Sequence, residues 1–449
     1  MTADAWIPWL RCPRCAGPCS ADPIACDECG FAYPTYDGIP VLMARPHELV
    51  EQWRFRLAEF ETTTESTRTR IIADAATLPL RPGTRARLER LAQGLATHRE
   101  IVVGLLGEAG ITPTRRTAPE PAGVPTEGSI SAYIHHIHRD WGWDEDGSTE
   151  NRDSLAAVQA VLEAPPRLGA MLVLGAGACR LASELHRLGA ELTVAVDINP
   201  LPMIVARRVL AGERVRLLEL PLAPPDLAHV AVERSLHSAA GPAQGFVQIF
   251  ADAFALPFEG GCFDTVLTPW FIDQVPRDIA DLLPEIRRLL KPTGRWINHG
   301  PLIYAPSHTP TPARYPADEL FALIETSGFA VARRREDRLT YLQSPACTRG
   351  RSELVLSFVA TVDAVRTEDG PTVDAPAWTE DPTVPVPRFE GLLRYVAPHP
   401  LFATVATLVD GERTADAIAA ILVRDYALPT HAATAGVLGC LREIWRATR

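Results

Sequence analysis

M171-L-V-L-G-A-G-A-C-R-L181 sets four apolar residues in front of a glycine-alanine-glycine turn, and helix-like spacing follows. A short apolar run closed by glycine reads as a buried strand ending in a tight turn. Gly175 and Gly177 let the backbone approach a ligand where a Cβ would clash. A carboxylate about twenty residues on, at the end of the following strand, can accept hydrogen bonds from both hydroxyls of a ribose. Asp197, closing T193-V-A-V-D197, is that residue. A third glycine is expected at position 179, and the residue there is Cys179. At this point the pattern fits NAD as well as any other cofactor built on a nucleoside.

The same rhythm continues outward. G245-F-V-Q-I-F250 leads into Asp252, F263-D-T-V-L-T268 reads as a fourth strand and R295-W-I-N298 as a fifth. Between the last two, D281-L-L-P-E-I-R-R-L-L-K291 has helical spacing with stops at Pro292 and Gly294. F329-A-V-A-R-R-R335 and the run Ser352 to Val362 supply a sixth and a seventh strand. Strands alternating with helices predict an α/β fold with a largely parallel sheet over residues 131–362.

A chain of 449 residues has room for two or three domains. Its net charge of -11 argues against a general nucleic-acid surface or an anionic-membrane surface. No apolar run approaches the roughly 20 residues that span a bilayer, and the first residues lack a secretory pattern, so a cytoplasmic protein is expected. Five of the nine cysteines fall between Cys12 and Cys29. Cys12-x-x-Cys15 and Cys26-x-x-Cys29 are two knuckles that can deliver four thiolates to one structural, tetrahedral zinc, with Cys19 spare. Residues 1–45 thus form an expected zinc ribbon. Residues 46–130 form a helical connector, with apolar positions recurring every three or four residues from Leu88 to Leu106, and then an exposed loop from Pro113 to Gly128. Residues 363–388 have linker composition, and 389–449 make a small helical domain.

Two further blocks carry a family resemblance: T268-P-W-F-I-D273 and G294-R-W-I-N-H-G-P-L-I-Y304. They resemble the carnosine N-methyltransferases, which have F-x-D after one strand and W-I-N-x-G-P-L-x-Y-H after the next. S131-A-Y-I-H-H-I-H-R-D-W141 is similar to that family's Q-F-V-R-D-W. The resemblance implies a class I, Rossmann-like methyltransferase domain that uses S-adenosylmethionine. It places the cofactor at His136, Arg139, Gly175, Gly177, Asp197, Asp252 and Ala253. It makes Asp273 the catalytic group beside the methylated imidazole, with Trp270, Phe271, His299, Tyr304 and Tyr341 around the acceptor. Three positions depart from the family. His299 stands where an apolar residue is usual, Ala305 replaces the substrate-contacting histidine, and T348-R-G-R-S352 offers no tyrosine. The expected acceptor is therefore a small imidazole- or amine-bearing molecule or peptide other than carnosine.

Two alternatives stand beside this reading: an RNA methyltransferase using the ribbon, and a non-catalytic peptide-binding scaffold. The ribbon, followed by D37-G-I-P-V-L42, resembles that of small proteins that activate methyltransferases, and that of certain rRNA methyltransferases. The turn D410-G-E-R-T-A-D-A-I418 resembles winged-helix-like peptide-recognition modules. At Asp273 a helix N-cap is the competing structural role.

Overall fold

The computed structural model describes residues 5–114, 130–241, 243–275, 277–305, 309–363, 376–379, 381–389, 392, 400–426 and 430–447. The chain divides into two compact units, Met1–Thr367 and Glu368–Arg449. Most of the expected loop at 113–128 and much of the linker at 363–388 lie outside the described residues.

The first unit is built on seven strands: β1 (Gly169–Leu174), β2 (Ala190–Asp197), β3 (Phe246–Phe250), β4 (Phe263–Pro269), β5 (Leu290–Gly300), β6 (Phe329–Tyr341) and β7 (Arg351–Val362). They lie in the order β6-β7-β5-β4-β1-β2-β3. Neighbours from β3 to β5 are parallel, and β7 runs antiparallel to both β5 and β6. This is the class I methyltransferase sheet. Its strand order reverses between β1 and β4, the place where open α/β sheets bind ligands beyond the carboxyl ends of the strands. The stretch quoted first ends at one side of that crevice, and T268-P-W-F-I-D273 ends at the other.

Both faces of the sheet are covered, as a parallel sheet requires. In β1 the side chains alternate. Met171 and Val173 enter one core with α3 (Ile130–Trp141), α4 (Glu150–Val161), α5 (Arg180–Gly189) and α6 (Pro200–Leu210), while Ala170, Leu172 and Leu174 enter the other. That second core is closed by α7 (Ile279–Leu289), whose Ile279, Leu282, Leu283 and Ile286 repeat at helical spacing, and by α8 (Ala317–Thr326). Asp278 caps α7, its carboxylate accepting from Ala280 N at 2.9 Å. The N-cap role weighed for Asp273 is thus filled by another residue.

Two additions precede the sheet. The connector consists of two long helices, α1 (Pro46–Thr77) and α2 (Pro82–Glu108), packed on each other. Trp53 of α1 is buried and donates from Nε1 to Ile198 O at 3.0 Å, which anchors the pair beside the end of β2. The cysteine-rich segment extends the edge of the sheet: Val41 pairs in parallel with Phe250 of β3, and Leu42 N donates to Phe250 O at 2.8 Å. Arg11 N donates to Pro257 O and Glu259 N to Trp9 O, each at 2.9 Å. Asp37 is ion-paired with Arg207 and Arg208 of α6. A hairpin absent from the sequence reading, Val215–Glu219 with Val232–Leu236, packs against α2.

The second unit holds α9 (Pro400–Leu408), α10 (Ala415–Tyr426) and α11 (Thr430–Ala447) around a core that includes Trp378, Val405, Ile418 and Leu441. Asp410 Oδ1 accepts from Glu412 N and Arg413 N, which shapes the expected turn. Among its described residues the β pairing is a single bridge, Pro385 with Thr414. No described helix is long and apolar enough to cross a membrane.

Candidate functional site

A cavity of about 450 Å³ opens at the reversal point of the sheet. The turn after β1 forms its floor. Gly175 has φ +68°, and a Cβ there would meet the Phe271 ring at 2.2 Å. Gly177 has φ +52° and nothing within 4 Å of where its Cβ would be, so that direction is open for a ligand. Cys179 also has a positive φ, 60°. The backbone keeps the shape that asks for glycine, and the buried thiol packs against Met203 Sδ at 3.7 Å. A non-glycine residue in this region costs about 1–2 kcal/mol. The third-glycine position has therefore changed its residue without changing its conformation.

Asp197 is almost fully buried, and burial raises its pKa. Its Oδ2 accepts from Gly177 N at 2.8 Å, and its Oδ1 from Ile198 N at 2.7 Å and Asn199 N at 2.9 Å. A carboxylate offers about four acceptor sites. Backbone amides fill three of them. Asp252 spends one oxygen on Phe254 N at 2.9 Å, and Ala253 lines the cavity beside it.

α3 brings His136 and Arg139 to the cavity wall. Arg139 Nε donates to Asp140 Oδ1 at 2.7 Å, while its buried NH1 has no hydrogen-bond partner. His136 is held neutral, its pKa pushed down to about 3 by burial and the nearby Arg139. His138 lies wholly buried in the same helix, and the metal-ligand geometry among the described residues is confined to the four ribbon cysteines.

The other wall is aromatic. Trp270 follows β4 with φ 50°, its N donating to His299 O at 2.6 Å, and Gly300 packs so closely that a Cβ there would meet Trp270 Cα at 3.0 Å. The Trp270 ring stacks on Tyr341 at 4.3 Å and 24°. Arg139 stands 5.8 Å from the centroid of each. Phe271 covers Gly175. Asp273 is 1% exposed. Its Oδ2 accepts from Ile303 N at 3.0 Å, and its Oδ1 is buried without a partner. Burial pushes its pKa up to about 6.

Two expected acceptor contacts lie off the cavity. His299 is fully buried behind Trp270, its ring 5.8 Å away and perpendicular, with Nδ1 at 2.9 Å from Ser357 Oγ. Tyr304 does not line the cavity, whereas Pro301 and Ile303 of the same loop do. Arg351 and Glu353 line the cavity, and Glu353 was not among the expected site residues. Their position follows from the pairing of Tyr341 with Arg351, a register that composition does not reveal.

The ribbon cysteines are brought together as their spacing suggests. Their sulfurs lie within 4.8 Å of one another, with Cys12 to Cys29 at 3.8 Å and Cys15 to Cys26 at 3.4 Å. Zn–S bonds of about 2.3 Å put tetrahedral sulfurs about 3.8 Å apart. Arg14 N approaches Cys12 Sγ and Cys29 N approaches Cys26 Sγ, each at 3.4 Å, as knuckle amides do. Cys19 lies outside this set.

Comparison with known proteins gives one family match and a set of distant solved structures. Residues 222–358 match the model of the family carnosine N-methyltransferase, a span that runs from before β3 into β7 and starts after the glycine turn. No curated protein sequence matches the chain significantly. Among solved structures, an S-adenosylmethionine-dependent methyltransferase from Mesorhizobium loti is 16% identical with a TM-score of 0.32, covering 48% of this chain and 99% of its own. A complex from Haloferax volcanii, between a methyltransferase activator and a protein described as a methyltransferase, gives 17% identity and a TM-score of 0.34 over 51% of this chain and 96% of the matched one. With the class I strand order, the glycine turn at its switch point and the family match over residues 222–358, the chain is an S-adenosylmethionine-dependent methyltransferase.

Proposed function

We propose that the chain methylates a nitrogen of a small imidazole- or amine-bearing molecule or peptide, with Asp273 as the catalytic carboxylate. The observation that carries this is the buried, unpartnered Asp273 Oδ1 in the cavity wall. A buried acceptor left empty costs free energy, roughly 1–3 kcal/mol or more for a charged group. An N–H of the acceptor fills it.

S-adenosylmethionine supplies a sulfonium methyl group. Gly177 leaves room for it, Asp197 and Asp252 have acceptor sites to spare for ribose and adenine, and the free NH1 of Arg139 suits the methionine carboxylate, with Gly175, Ala253 and His136 beside them. The acceptor nitrogen uses its lone pair to form the N–CH3 bond as the S–CH3 bond breaks and that electron pair stays on sulfur. The positive charge thus moves to the acceptor. Asp273 holds the N–H of the second ring nitrogen, fixes the tautomer and faces the cation as it forms. Trp270, Phe271 and Tyr341 enclose the ring, since a flat aromatic face suits both an imidazole and its cation. His299 supports that wall from behind Trp270, and Tyr304 lies near Asp273 outside the cavity. The ribbon binds a structural zinc through Cys12, Cys15, Cys26 and Cys29.

The test is transfer of isotope-labelled methyl from S-adenosylmethionine to a panel of imidazoles, primary amines, short peptides and RNA, with the product located by NMR. Label on a ring or amine nitrogen is expected. Label on RNA alone would overturn the reading.

A further inference from the structure

The far end of the acceptor wall carries charges that methyl transfer itself does not use. Arg351 and Glu353 sit two residues apart on β7, hence on one face of the strand, and both line the cavity. Arg351 Nε lies 3.0 Å from Glu353 Oε1, and its guanidinium carbon stands 4.6 Å from the centre of the Tyr341 ring. The pair engages Nε, on an Arg351 side chain that is 58% exposed, while the Glu353 side chain is 13% exposed. Arg335 and Asp337 on β6 make a similar pair, but neither lines the cavity. This one is built in.

What builds it in is a clamp on the turn between β6 and β7. Glu150, at the start of α4, is 4% exposed and spends both carboxylate oxygens on that turn, Oε2 on Leu342 N at 2.9 Å and Oε1 on Gln343 N at 2.7 Å. Leu342 has φ 48°, a conformation that needs such support. Because Tyr341 and Arg351 are register partners directly flanking the turn, the clamp fixes the aromatic wall and the arginine together. On the same helix, Asn151 Nδ2 donates to Arg139 O at 2.8 Å, so one helix end steadies both the cofactor side and the acceptor side.

A cation and a carboxylate, paired in the lining of a cavity that also holds the unpartnered oxygen of Asp273, match three groups of one kind of molecule. Building on the reading of Asp273 above, we propose that the preferred acceptor bears a free α-amino-acid head group, its carboxylate on Arg351 and its ammonium on Glu353, with the imidazole reaching Asp273. Exchange of the internal ion pair for two ion pairs with the ligand keeps every charge matched. An acylated amine or an amidated carboxyl leaves one of the two protein charges unmatched.

The experiment measures kcat/KM for methyl transfer by the full chain to histidine, N-acetylhistidine, histidinamide and the dipeptide β-alanyl-histidine, with wild type, R351Q and E353Q, and S-adenosylhomocysteine affinity as a control for folding. Histidine is expected to exceed each blocked compound by about tenfold or more, as loss of one charged contact implies. R351Q should depress histidine and N-acetylhistidine and spare histidinamide. E353Q should depress histidine and histidinamide and spare N-acetylhistidine, with KM rising more than kcat falls and S-adenosylhomocysteine binding unchanged. Equal use of all four imidazoles, or variants that lower all four equally, would overturn the head-group assignment while leaving the Asp273 reading intact. Failure of every imidazole in a protein that binds S-adenosylhomocysteine would overturn both.

Discussion

Two carboxylates of the same cavity, Asp197 after β2 and Asp273 after β4, are buried to nearly the same degree and placed at comparable points of the sheet, yet their surroundings differ. Asp197 accepts three backbone N–H groups and ties the glycine turn to the end of its own strand. Asp273 accepts one backbone N–H, from Ile303, has the Gln274 side chain beside it, and keeps Oδ1 buried without a hydrogen-bond partner. On the cofactor side the chain itself thus holds the carboxylate through three amides before any ligand arrives. The acceptor half carries a cost that a ligand relieves, which is where binding energy serves turnover.

The contrast is broken most severely by removing the carboxylate that the backbone holds. Asp197→Ala leaves three amides unpaired, and the expected result is a loss of roughly 3 kcal/mol or more of stability together with S-adenosylhomocysteine affinity reduced by about 10²-fold. Chemical unfolding and calorimetry measure both; a variant that is as stable as wild type contradicts the keystone role. The unsaturated carboxylate should behave the other way. Its pKa of about 6 lies above the ordinary 3.8, so the folded protein binds that proton more tightly than the unfolded chain does. The resulting stability is fully present below about pH 4 and lost as pH rises through about 6. Asp273→Asn, which cannot ionise, should therefore be more stable than wild type by roughly 2–3 kcal/mol at about pH 8 and equal to it near pH 4. Thermal melts at the two pH values check the sign.

Gly177→Ala sharpens the picture of the cofactor half. A side chain at φ +52° is strained by about 1–2 kcal/mol and its Cβ enters the open cradle, so S-adenosylhomocysteine should bind about tenfold more weakly. Acceptor specificity measured at saturating cofactor should not move. The smallest effect is expected from the ribbon. Elemental analysis should find about one zinc per chain. Cys12→Ser should lower zinc content and melting temperature while changing cofactor affinity by only a few-fold, because the ribbon touches the segment around Asp252 through backbone contacts such as Arg11 N to Pro257 O.

The sheet was largely legible because buried parallel strands leave short apolar runs closed by glycine or aspartate, as at Gly175, Asp197 and Asp252. Residues in local motifs, among them Arg139, Trp270 and Asp273, also reached the cavity together. What could not be read depends on distant partners. β6 extends to Tyr341, well past the Arg335 where apolar spacing ends, because pairing with β7 carries its charged residues along. The register shift between Val331 and Arg333 breaks the alternation from which facing is inferred. Glu353 and the clamp by Glu150 were therefore invisible, since each acts across a contact fixed only by the folded register. His299 was misleading for the same reason. A polar residue in a functional loop looks like a ligand contact until its partner, Ser357 on the neighbouring strand, is seen.

The account rests most heavily on the empty oxygen of Asp273, and the direct test is methyl transfer at saturating cofactor and acceptor by Asp273→Asn, with S-adenosylhomocysteine binding measured on the same preparation. Asparagine keeps an oxygen for Ile303 N and removes the charge that faces the developing cation. The predicted result is a fall in kcat on the order of 10²-fold or more with cofactor affinity within a few-fold of wild type. Wild-type turnover in this variant would contradict the central claim.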